Sequence, residues 1–177
     1  MKNLVLLLLF TSLATAEDQA AAARVAAGCG SDAGQFDVQT DKKKHPTAQP
    51  EPGKALVYLF GDTELDNVEL HVGGLVTRVG VDGEWVGANN FKSYFFFAVD
   101  PGEHRLCTSQ QSRRESVRSR SSAALSFTAE AGKVYYFRTK TPERPLQHET
   151  VELRLVDPAQ AQLLIASSAY STFQKKK

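Results

Sequence analysis

The sequence predicts an all-β protein with a single helix near its C-terminus, and three observations carry that prediction. Residues 79–107 read VGVDGEWVGANNFKSYFFFAVDPGEHRLC, with apolar residues alternating on either side of two tight turns. Asp82-Gly83 suits a type I′ hairpin turn, whose two central residues both need positive φ. Asp100-Pro101-Gly102-Glu103 is a second turn, in which proline fixes φ near −65° and glycine takes the position closed to residues with a Cβ. The third observation is the regular recurrence of short runs rich in Val, Leu and aromatics between turn signals, the pattern of a sandwich or small barrel.

The first element, residues 1–16, is not part of that fold. Lys2 supplies a positive start, residues 4–13 form an apolar core of about ten residues, and Ala14-Thr15-Ala16 offers the small residues that signal peptidase reads. Cleavage is expected between Ala16 and Glu17, which makes the mature chain an exported one, periplasmic or extracellular. A membrane span needs roughly 20 apolar residues, so this segment is too short to remain as an anchor. Ala26-Ala27-Gly28-Cys29 allows a competing reading as a lipobox, with a lipidated Cys29 as the new N-terminus and the membrane as a partner.

Residues 17–53 read as an irregular leader, Ala-rich at first, then Gly/Ser/Asp-rich around Cys29, then lysine- and proline-rich. Within it, residues 35–40 (QFDVQT) alternate and are expected as a short strand docked on the sheet. The domain proper is placed at residues 54–170. Its strands are expected at residues 54–60, 74–81, 84–88, 92–99, 103–109, 123–129, 133–140 and 150–156. Asp157 is a good N-cap and Pro158 a good first helical residue; Ala161, Leu164, Ile165 and Ala169 then recur at helical spacing, giving a stripe that packs on the sheet. Residues 171–177 are read as a tail.

Taken in order, KALVYLF, RVGVDGEWVGANN, SYFFFAVDPGEHRLC and ALSFTAEAGKVYYFRT resemble an exported bacterial family, domain of unknown function 2846, over roughly residues 54–156. More loosely, the succession VDG, VG, PGEH is similar to PEGA-type β-sandwich modules. The resemblance implies a single antiparallel β-sandwich of immunoglobulin-like or transthyretin-like kind, often lipid-anchored. It implies no activity, cofactor or catalytic residue.

Charge excludes one class of partner. Removing residues 1–16 takes away Lys2 alone, which leaves 20 basic against 20 acidic residues, so no bulk field is available for nucleic acid. The two cysteines, Cys29 and Cys107, are assigned to a disulfide that ties the leader to the sheet, as an oxidising compartment permits. The alternatives are a buried Cys107 beside a free or lipidated Cys29; no Cys-x-x-Cys suggests a catalytic thiol.

His45, His71, His104 and His148 are scattered, with no spacing that brings two imidazoles to one metal, so neither metal nor cofactor is expected. No nucleophile elbow, phosphate loop or dinucleotide fingerprint is present. The unusual loop is residues 110–122, QQSRRESVRSRSS, in which Arg113, Arg114, Arg118 and Arg120 face Glu115 alone. Its ordinary reading is a long solvated hairpin; its functional reading is a contact with anionic envelope polymers, lipid headgroups or an acidic protein, since guanidinium forks match carboxylates and phosphates. Trp85, Asn89 and Asn90 form either a carbohydrate-type platform or a core tryptophan beside turn asparagines. Tyr94-Phe95-Phe96-Phe97 must face both sides of its sheet, so the second face needs cover from helix, leader or partner.

These readings lead to a non-enzymatic exported module that binds or builds in the cell envelope, using the arginine loop and the WVGANN hairpin, with an envelope polymer or protein as partner. The alternatives are a carrier of a small apolar ligand between sheet and helix, and a hydrolase whose residues meet only in the fold.

Overall fold

The computed structural model describes residues 29–30, 34–61, 76–111, 122–140 and 151–176. Among these described residues ten strands and one helix follow in chain order: β1 (Phe36–Asp41), β2 (Ala55–Phe60), β3 (Val76–Val81), β4 (Glu84–Asn89), β5 (Ser93–Val99), β6 (Gly102–Gln111), β7 (Ser122–Ala129), β8 (Val134–Lys140), β9 (Glu152–Leu155), α1 (Pro158–Ser167) and β10 (Ala169–Lys175). They form two sheets, one of six strands in the order β1-β10-β5-β2-β8-β9 and one of four in the order β4-β3-β6-β7. The architecture is the expected all-β sandwich with one C-terminal helix.

Strand β2 shows how the sequence positions the layers. All six of its residues are buried, and they divide by parity, as side chains on a strand must. Ala55, Val57 and Leu59 point toward the smaller sheet and pack with Val79, Val81, Leu106, Phe95 and Phe137. Leu56, Tyr58 and Phe60 point the other way and pack with Tyr94, Ala161, Leu164 and Ile165. Each of the larger aliphatic and phenylalanine side chains among them stabilises the fold by roughly 1.5–3 kcal/mol relative to an exposed one. The run Tyr94 to Phe97 divides in the same way, with Phe95 and Phe97 in the sandwich core and Tyr94 and Phe96 under the helix.

Helix and leader together cover that second face. Asp157 caps α1 by accepting from the backbone N–H of Ala159 and Gln160, with Pro158 following it. At the other end His45 Nδ1 donates to the carbonyl of Ile165 at 2.9 Å, satisfying a last-turn oxygen that the helix itself cannot. The leader is stitched on beside it: Tyr94 Oη donates to the Pro46 carbonyl at 2.9 Å, and the Ala48 N–H donates to Tyr58 Oη at 2.8 Å. Burial pushes both phenols up, Tyr94 to about 12.

Three expectations are corrected. Residues 171–177 are not simply a tail, because β10 runs over Ala169–Lys175 and lies between β1 and β5. Ala169 therefore starts this strand and is not part of the helical stripe, which ends with Ser167. The larger sheet is mixed rather than antiparallel throughout, since β10 runs parallel to β5 and β2 parallel to β8. Strand patterning encodes which face is apolar but not which neighbour a strand takes, so this ordering has no local signal.

Candidate functional site

The two turns that define the sequence meet in space. Asp82 has φ 52° and Gly83 φ 88°, the pair of positive values the turn requires. His104, three residues after Pro101, reaches across with Nδ1 2.7 Å from Asp82 Oδ2 and Nε2 2.7 Å from the carbonyl oxygen of Asp100. The other oxygen of Asp82 accepts the backbone N–H of Arg105 at 2.8 Å. Lys54, ahead of β2, donates to Asp100 Oδ1 at 2.6 Å. Both ring nitrogens of His104 thus face acceptors, an arrangement satisfied in full by the imidazolium, which donates twice.

The charges agree with that geometry. Burial of the His104 ring opposes its charge, but the hydrogen bonds to Asp82 and Asp100 and the charge of both residues outweigh it and hold its pKa above the ordinary value. The backbone N–H of Arg105, and then His104, hold Asp82 below the usual carboxylate range; the Lys54 ammonium does the same for Asp100. The cluster is a clamp between β2, the β3–β4 turn and the β5–β6 turn.

Trp85 is not an open platform. The Arg78 guanidinium lies 4.4 Å from the centre of its indole, and the leader passes so close that a methyl group added at Gly34 would collide with the ring. Arg78 itself is buried, donating to the Gly34 carbonyl at 2.7 Å and to Ser109 Oγ at 3.0 Å. Asn89 is wholly buried and donates to the Ser93 carbonyl at 3.1 Å, so it cannot belong to a contact surface. Asn90 is half-buried, its N–H given to Ser93 Oγ. Of the pair of readings, the structure favours the packed tryptophan, with Asn89 as the last residue of β4 and Asn90 just beyond it.

Cys29 and Cys107 are joined in a disulfide with Cα atoms 5.2 Å apart, bridging 78 positions of sequence. Both residues are buried. The thiol that a lipobox reading needs is thereby occupied. Farther along, Gln111 closes the outer edge of β1: its side-chain amide accepts from the Phe36 N–H at 2.9 Å and donates to the Phe36 carbonyl at 3.1 Å. Arg113, Arg114, Arg118 and Arg120 lie outside the described residues, as do His71 and His148.

One feature was not singled out from the sequence as a site. Where β1 ends beside the start of β10, a groove of about 460 Å³ is lined by Thr40, Asp41, Lys42, Lys43, Lys44 and Tyr170, among others. Its lysines read in sequence as part of a polar leader; only the pairing of Asp41 with Tyr170 turns them into one wall of a cleft. Among the described residues, no group of three or more His, Cys, Asp or Glu is placed to hold a metal ion.

Residues 51–151 match the family model described as Protein of unknown function (DUF2846). The chain belongs to this family. The match does not extend to the looser likeness with PEGA-type modules. Neither the curated proteins nor the solved structures yield a match to the chain. Within the DUF2846 region fall Lys54, Asp82, Asp100 and His104, and one end of the disulfide, Cys107. Cys29, the lysine groove, the helix and β10 lie beyond it, so the family model describes the clamp and not the groove.

Proposed function

We propose that this DUF2846 protein is a non-enzymatic, exported module that binds or builds in the cell envelope. The observation that carries the reading is the filling of the aromatic sheet's second face. Tyr58, Phe60 and Tyr94 pack there against Ala161, Leu164 and Ile165, with Tyr136, Phe96 and Ala48 around them. A carrier of an apolar ligand would use that layer, and here the chain's own side chains occupy it.

The state of the titratable cluster weighs against the hydrolase alternative. A general base needs a lone pair directed at a substrate proton, whereas each ring nitrogen of His104 is already committed to an acceptor. The buried disulfide suits an oxidising compartment, and no described helix is long and apolar enough to cross a membrane. The working parts are then on the surface, with the arginine loop as one expected contact.

Passing the purified chain over isolated envelope material, with a salt gradient for elution, tests this. Retention of the parent that salt reverses, and its loss when Arg113, Arg114, Arg118 and Arg120 are changed to Ser, supports the reading. Equal retention of both removes the arginine loop from it, and a parent that is never retained removes the envelope.

A further inference from the structure

The groove between the end of β1 and the start of β10 has a chemistry of its own. Three consecutive ammonium groups, Lys42, Lys43 and Lys44, line it with a single carboxylate, Asp41. That carboxylate is already engaged: Asp41 Oδ1 accepts the Lys43 N–H at 2.9 Å, and Oδ2 lies 3.5 Å from Lys44 Nζ. Lys42 and Lys43 have no carboxylate partner among the described residues. The groove therefore carries an excess of positive charge whose acid cannot neutralise it, which selects for an anion.

The frame that holds these groups is fixed. Six consecutive residue pairs align β1 with β10, ending at Asp41 opposite Tyr170. The Asp41-to-Lys43 hydrogen bond sets the turn from which the lysines project. Tyr170 is held in place by Tyr94, at 5.6 Å between ring centres, and by Phe96, at 5.7 Å. It gives the groove an aromatic wall, while Thr172, paired with Gln39 on the same face of the sheet, adds a hydroxyl that can both donate and accept.

We propose that this groove binds a phosphorylated sugar. Clustered lysine ammonium groups suit a doubly charged phosphate, which they meet as point charges. Tyrosine combines an apolar ring with a polar tip, the property needed against the C–H face and hydroxyls of a sugar. A volume of about 460 Å³ is in the range of sites for small ligands. A lipid surface is a poorer match, because the large exposed apolar residues among those described, Leu155 and Leu163, are not in the groove. The inference deepens the binding reading above and rests on it only in taking the surface as the working part.

Calorimetric titration of the full chain with glucose 6-phosphate tests it, with glucose and inorganic phosphate as the separate halves. Saturable binding of glucose 6-phosphate is expected, at least about tenfold tighter than either half. Lys42→Ser with Lys43→Ser is expected to weaken it by about tenfold or more. Lys175→Ser with Lys176→Ser, which removes as much charge at the far end of the same strand pair, is expected to change it by less than about twofold. Both residues of the first pair are exposed, and an unchanged thermal unfolding curve confirms that the fold is kept. The proposal is overturned by an absence of saturable binding, by equal loss in both double variants, by phosphate alone binding as tightly, or by binding confined to phosphatidylglycerol vesicles. Because the titration uses no envelope material, its failure leaves the retention result standing, and failed retention leaves the titration readable.

Discussion

The imidazole of His104 lies 2.7 Å from the carboxylate of Asp82, and through that contact the β5–β6 turn holds the β3–β4 turn. The histidine side chain is 13% exposed and the aspartate 50%, so the pair is partly screened and modest in energy. On its other side the ring packs on Phe127 of β7, at 5.8 Å between centres.

The clamp makes stability depend on pH with a defined sign. The pKa of His104 is raised in the fold, so its contribution is complete below the unfolded value near 6.5 and is lost as pH rises through the folded value. Asp82 and Asp100 are lowered, so theirs is present above the ordinary value of 3.8 and lost as pH falls through the folded one. His104→Gln is expected to cost about 1 kcal/mol in urea unfolding near pH 5.5 and clearly less near pH 9. A cost that is the same at both values contradicts the imidazolium.

The disulfide carries a large expected effect. In the chain-entropy account a bridge spanning 78 positions restrains the unfolded chain by about 4–5 kcal/mol. Cys29→Ala with Cys107→Ala is expected to lower unfolding stability by about 2–5 kcal/mol. Denaturant titration of oxidised parent and double variant reads the difference.

Gly80 ties that staple to the sheet. A methyl group at this position would strike the carbonyl oxygen of Cys29, which is backbone and cannot swing away. Gly80→Ala is expected to cost about 1–3 kcal/mol in the parent. In the cysteine-free background the leader can retreat, so a double-mutant cycle should return a much smaller cost there.

Much of this fold can be read from local chemistry. Asp82-Gly83 and Asp100-Pro101-Gly102 are turns because of the backbone angles they demand, and Asp157-Pro158 starts α1 because it supplies an acceptor and needs no donor. Strand β10 was hidden because Ala169 continues a helical spacing and three lysines end the chain, although Tyr170, Thr172 and Phe173 are good strand formers. The clamp was half legible: both turns were visible, yet nothing in sequence says that His104 spans from one to the other. The groove was not legible at all, since Lys42 and Tyr170 are joined only by the β1–β10 register.

The helix cap offers an independent check on the layer that seals the sheet. Asp157→Ala removes the acceptor for two backbone N–H groups, at 3.0 and 2.9 Å, and is expected to cost about 1 kcal/mol. Leu59→Ala, in the core between the sheets, should cost about 2–5 kcal/mol. Thermal unfolding of the two variants side by side gives the ratio.

Export of the chain, as proposed, and the stapling of its leader to the sheet both register in one quantity, the intact mass of the protein from its native host. The sample is alkylated with and without prior reduction. A chain beginning at Glu17 that takes up two alkyl groups only after reduction is the expected result. A chain that begins at an acylated Cys29, or one that is alkylated twice without reduction, contradicts it.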